Sequence, residues 1–158
     1  MKRLIVVILA AIIYFSALNT SLASEIKIPQ FQVQWRAGII VGVVVSPNST
    51  KDQLKALIFE FQKARREHFL TKYLPATTPG ISGDSHAQVI IFVFSDPKWA
   101  TKEKYNEYEI SGMRSQKAQA YLNKIIASFE FNYMDSKEYG SLGYDEGGMK
   151  SASFKKFF

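Results

Sequence analysis

The spacing of apolar residues changes character several times along the chain, and each change marks an element. Phe31, Val33 and Trp35 alternate with Gln32, Gln34 and Arg36, the period of a half-buried strand or extended arm. Residues Gly38 to Ser46 then form a β-branched run without charge, which suits a strand covered on both faces, and Pro47 ends it. Thr50-x-x-Gln53 is a capping box, in which a hydroxyl and an amide satisfy backbone N–H groups at a helix start. Behind it Leu54, Leu57, Ile58, Phe61, Ala64 and His68 recur at helical spacing, predicting an amphipathic helix that ends near Leu70.

Residues 74–86 (LPATTPGISGDSH) carry the proline, glycine and hydroxyl content of a long surface loop. Ala87 to Phe94 reads as a second buried strand. Ser95-Asp96-Pro97 offers a cap for a charged helix over 98–109, and 115–123 predicts a short helix with Ala118, Tyr121 and Leu122 inward. From Lys124 to Met134 the alternation is strict, with Ile125, Ala127, Phe129, Phe131 and Tyr133 on one face and Ser128, Glu130 and Asn132 on the other. Asp135 to Gly140 reads as a turn, Ser141 to Tyr144 as a short hairpin partner, and 147–158 as a loose tail.

Together these predict an α+β fold. A mixed or mostly antiparallel sheet of three to five strands carries one main amphipathic helix, and the first two buried strands can form a parallel crossover around that helix. The chain of 158 residues has room for one such domain. Its 47% hydrophobic and 22% charged content excludes disorder, collagen and coiled coil. With no cysteine there is no disulfide framework, thiolate metal site or cysteine nucleophile.

Residues 1–23 change the picture most. Lys2 and Arg3 precede the apolar run Leu4 to Leu18, and Ser21 and Ala23 are the small residues of a cleavage site, the pattern of a secretory signal peptide. The run is shorter than the ~20 residues of a spanning helix, which makes an uncleaved anchor the weaker alternative. Cleavage removes two cations from a formal charge of +6, leaving a mild, dispersed basicity that does not point to nucleic acid. Export without cysteine fits a bacterial periplasm. The expected organisation is therefore 1–23 signal peptide, 24–146 domain and 147–158 basic aromatic tail.

Candidate chemistry is sparse. Gly83-Asp84-Ser85 has the composition of a serine-esterase motif but precedes its strand, and Ser85 and the adjacent His86 would point to opposite sides. His68, His86, Asp84 and Glu67 do not make a coherent metal set, and no cofactor is expected. Asp135, Glu138, Asp145 and Glu146 cluster late, around Tyr139 and Tyr144, without the spacing of a calcium loop. The tail residues Phe154, Lys155, Lys156, Phe157 and Phe158 combine cations with aromatics, suited to anionic lipid or a partner groove, unless the phenylalanines fold back onto the domain. The expectation is a periplasmic, non-enzymatic binding module. It would engage an envelope protein, anionic lipid or glycan through Asp84, His86 and residues 154–158. The alternatives are a small hydrolase and a small-ligand carrier.

Overall fold

The computed structural model describes residues 26–80, 84–112 and 114–158, so the signal-peptide segment lies outside the described residues. The chain runs β1 (Phe31–Ala37), β2 (Ile40–Val45), α1 (Lys51–Arg66), a 3-10 turn (Leu70–Lys72), β3 (Gln88–Phe94), α2 (Lys102–Ile110) and α3 (Gln116–Leu122). Then follow β4 (Ile125–Asn132), β5 (Lys137–Leu142), β6 (Asp145–Glu146), β7 (Met149–Lys150) and β8 (Lys155–Lys156). Six strands form one sheet in the order β1-β2-β3-β4-β5-β8, while β6 and β7 pair separately. Among the described residues only β2 and β3 run parallel; the other pairings in the large sheet are antiparallel. The α+β class stands, with a sheet wider than the three to five strands suggested by the sequence and, among the described residues, two shorter helices beside the main one.

Helix α1 starts as its sequence requires. Thr50 Oγ1 accepts from Gln53 N at 3.2 Å, and Thr50 N donates to Gln53 Oε1 at 2.9 Å. Its inner stripe of Leu54, Leu57, Ile58, Phe61 and Ala64 packs on Val41, Val43, Val89, Ile91, Val93, Ala127, Phe129 and Phe131 from the sheet. The stripe stops at Ala64. His68 is exposed at φ 60°, in the left-handed conformation that terminates a helix, rather than packed on the stripe. The second face is covered by α2 and α3, where Tyr105, Tyr121 and Leu122 meet Trp35, Phe92, Phe94 and Ile125. There Trp35 stacks on Tyr105 at 4.8 Å and Tyr108 on Tyr121 at 4.9 Å.

Two irregularities distribute apolar side chains between these cores. In the β1/β2 pair Val33 faces Val43 but Trp35 faces Gly42, a register shift that sends Trp35 to the face opposite Phe31 and Val33. Gly42 is needed because a Cβ there would overlap the Trp35 indole. In the β3/β4 pair Val93 faces Ala127 and Phe94 faces Ile125, so Ile125 leaves the face of Ala127 and Phe129. Strict alternation had assigned each of these sets to a single face.

Other boundaries move for local reasons. Asp96 caps only a turn, accepting from Lys98 N at 3.0 Å, and α2 begins later, capped by Thr101, whose hydroxyl accepts from Lys104 N at 3.2 Å. Residues 137–142 are a full strand, the reversal being made before them by Ser136 at φ 55°.

The C-terminal segment is built into the domain. Strand β8 pairs with β5, placing Lys156 beside Ser141 and Lys155 beside Leu142, and Phe157 N donates to Gly140 O at 2.7 Å. Phe157 and Phe158 pack against the α1-side core, with Phe158 5.2 Å from the Phe59 ring. A Cβ at position 140 would overlap Phe158 and Ile58, which explains a glycine inside β5. Of the two readings of residues 154–158, the folded-back one describes Phe157 and Phe158.

Phe158→Ala is expected to cost about 1–2 kcal/mol, because the ring is only partly buried, and to lower Tm by roughly 3–8 °C in thermal unfolding. Gly42→Ala should cost about 1–3 kcal/mol in urea unfolding through overpacking against Trp35. An unchanged midpoint would show that the indole can move aside.

Candidate functional site

Because opposed residues share a face, the β4/β5 register brings polar side chains together. Ser128 opposes Ser141 and Glu130 opposes Tyr139, all on the face away from α1. Helices α2 and α3 cover that face over the other half of the sheet, and the chain after β5 folds back over what they leave. The result is a cleft of about 370 Å³ lined by Ser128, Glu130, Tyr139, Gly140, Ser141, Tyr144, Asp145, Phe154 and Lys156.

Its floor is a hydroxyl pair on a carbonyl. Ser128 Oγ and Ser141 Oγ lie 2.9 Å apart and 2.8 and 2.9 Å from Gly143 O. Tyr144 forms a wall, its ring 4.7 Å from Phe92 and its backbone N–H donating to Ser151 Oγ at 3.0 Å. Lysines already rest on the other two rings. Lys156 Nζ lies 4.9 Å from the Tyr139 centroid, and Lys150 Nζ 5.0 Å from that of Phe154. Lys150 also pairs with Asp145 at 3.5 Å.

Glu130 is half-buried and, among the described residues, has no ion-pair partner. Burial, reinforced by the Asp135 carboxylate, holds its pKa above the ordinary carboxylate range. Burial also raises the Tyr144 phenol, aided by Glu130 and Asp145, so it stays protonated and able to donate.

The residues singled out in the sequence divide between this cleft and other duties. Phe154 and Lys156 line it, Lys155 is exposed beyond it, and Phe157 and Phe158 are packing residues. Asp84 and His86 lie elsewhere, with Arg65, His68, Leu70, Thr71 and Ser85, around a small hollow of about 100 Å³. Their polar atoms hold the loop. Asp84 Oδ1 accepts from His86 N at 2.8 Å, and Oδ2 accepts from Arg65 Nη2 at 3.2 Å. The Arg65 guanidinium in turn lies on the Phe131 ring, 3.3 Å from its centroid.

His86 is 3% exposed, and its Nε2–H donates to Pro75 O at 3.2 Å. Burial lowers its pKa, so the imidazole is neutral. Ser85 O accepts from Thr77 N and Thr78 N. Gly83 lies outside the described residues. Among the described residues no three His, Asp or Glu side chains gather closely enough to hold a metal ion.

The late carboxylates separate as well. Glu138 accepts from Arg66 Nε at 2.9 Å and Gln62 Nε2 at 2.8 Å, tying β5 to α1. Asp135 accepts from Lys137 N within the turn, and Asp145 alone reaches the cleft. Sequence reasoning missed Ser128, Glu130 and Ser141. Alternation identified Ser128 and Glu130 as facing away from the core but carried no sign that the chain would return over them.

A larger, more open groove of about 730 Å³ runs along β1, lined by Ile28, Phe31, Val44, Lys72 and Tyr73 among others. Among the described residues Lys72 is the one charge lining it, which leaves the smaller cleft with the richer set of recognition groups. Searches against protein-family models, curated proteins and solved structures find no match to this chain.

The raised pKa of Glu130 means that its ionised form weakens the fold above that pKa. The effect disappears once pH falls below the unfolded value, where both states are protonated. Glu130→Gln is therefore expected to resist urea better than the parent at pH 7, with the advantage closing towards about pH 4. A variant less stable at pH 7 would mean that the carboxylate makes a stabilising contact.

Proposed function

We propose that the protein is an exported, non-enzymatic binding module of the bacterial envelope, and that the cleft between β4, β5 and the C-terminal segment is where it engages its ligand. The observation that supports this reading is the combination, in one concave site, of an uncompensated half-buried carboxylate, paired hydroxyls and three aromatic walls. Isolated buried charge is unfavourable in a free protein, and a site that retains one gains most when a ligand supplies the missing partner. The pattern of residues 1–23 supports the exported location.

The hydrolase alternative is less well supported. Asp84 and His86 spend their polar atoms on Arg65, the loop backbone and Pro75, and the nearby hollow of about 100 Å³ is small for a substrate. Binding through the tail phenylalanines is likewise weakened by their packing on Phe59 and α1.

The test is affinity capture from an envelope extract with the chain from Ser24 onward as bait, identifying retained proteins, lipids and glycans. The expected result is a component held by the parent and by Lys155→Glu, which lies outside the cleft, but released by Tyr139→Ala within it. Retention indifferent to Tyr139 would move the binding surface elsewhere. Turnover of an envelope substrate abolished by His86→Ala would overturn the non-enzymatic reading.

A further inference from the structure

The hydrogen-bonding polarity of the cleft floor narrows what can bind there. A serine hydroxyl has one proton to donate and two lone pairs to accept with. Ser128, Ser141 and the Gly143 carbonyl form a closed trio at 2.8 to 2.9 Å, and this consumes both hydroxyl protons. The hydroxyl oxygens keep acceptor capacity, and Glu130, which lines the same cleft, is acceptor only in its carboxylate form. A ligand group meeting this floor must bring donors.

The walls leave less room for one common alternative. A sugar recognised by stacking needs a free aromatic face. Here Tyr139 and Phe154 each carry a lysine ammonium on a ring face, and Tyr144 is packed edge to face against Phe92. The protein's own cations show what these rings accommodate. Lys156, which lines the cleft, lies on the Tyr139 ring and forms no ion pair with Glu130, while Asp145 is matched by Lys150. Among the described residues, Glu130 is the cleft carboxylate left without an ion-pair partner.

We infer that the cleft recognises the protonated primary amine of a small ligand, seated on Glu130 with the Ser128 and Ser141 oxygens as additional acceptors. An ammonium has three donors and no acceptor, which complements this floor. The volume of about 370 Å³ admits a ligand about the size of one amino sugar or a short diamine. The inference rests on the proposed binding role of the same cleft.

D-Glucosamine and D-glucose differ by an ammonium in place of a hydroxyl and make a matched pair of probes, with putrescine as an amine lacking the sugar. The chain from Ser24 onward is titrated with each at neutral pH, following backbone amide shifts and fitting Kd. Saturable shifts at Ser128, Glu130, Ser141 and Gly143 are expected with at least one amine, and glucose should bind at least tenfold more weakly. Glu130→Gln should weaken amine binding at least tenfold, while Lys156→Gln, which removes a like charge, should leave it unchanged or tighter.

Equal binding of glucose, or an unaffected Glu130→Gln variant, would overturn the amine specificity while leaving the cleft as a binding site. Loss of binding in Lys156→Gln as large as in Glu130→Gln would overturn it in favour of a ligand held by its acid group. Failure of both amines to shift these residues at millimolar concentration would overturn it too. Capture that depends on Tyr139 would still stand as the separate measure of whether the cleft binds anything.

Discussion

Strand β3 is the constraint from which the architecture follows. Its segment from Ile91 to Phe94 is buried without a break, so both faces must be kept from water. Its parallel pairing with β2 requires a crossover, and α1 is that crossover, laid over one face. The other face is closed by α2 and α3, which the chain makes between β3 and β4. The later strands add antiparallel on the far side of β3, and the sheet outgrows its second helical layer. Beyond that layer, the side chains of β4 and β5 are roofed only by the returning C-terminal segment, and the cleft occupies the space between.

Two glutamates of the β4–β5 hairpin show how one scaffold treats equivalent charges differently. Glu138 points to the α1 side, where Arg66 and Gln62 reach it, and it fastens the hairpin to the helix. Glu130 opposes Tyr139, the next residue on β5, and so points to the other side, where no cation comes within ion-pair distance among the described residues. A carboxylate with its partners supplied is part of the structure. One without them is costly to ionise, and its pKa rises instead.

Much of the fold was legible because its signals are local. The Thr50 capping box, the stripe from Leu54 to Ala64 and the apolar runs of β2 and β3 depend on residues close in sequence. The bulges at Val33/Trp35 and Val93/Phe94 were not legible, since a register shift is a property of two strands. The first part of β5, as far as Gly140, was read as a turn because that glycine and its polar neighbours resemble one, and the reason for the glycine, the Phe158 ring, lies far along the chain. The cleft was hidden for a related reason. Asp145, Phe154 and Lys156 drew attention as members of charged clusters, whereas Ser128, Glu130 and Ser141 become a site only through the β4/β5 register.

The displaced register of β1 reaches beyond the core it feeds. Strand β1 lies at the border of the sheet, where an uninterrupted ladder of backbone groups would invite another chain to add on and seed aggregation. Its irregularity between Val33 and Trp35 breaks that ladder, and Arg36 places a cation on the same border, its Nε turned back to Gly38 O at 3.1 Å. The single extra residue that delivers an indole to the second core thus also makes the border a poor template. The interrupted edge and the burial of Trp35 are thereby two results of one register shift.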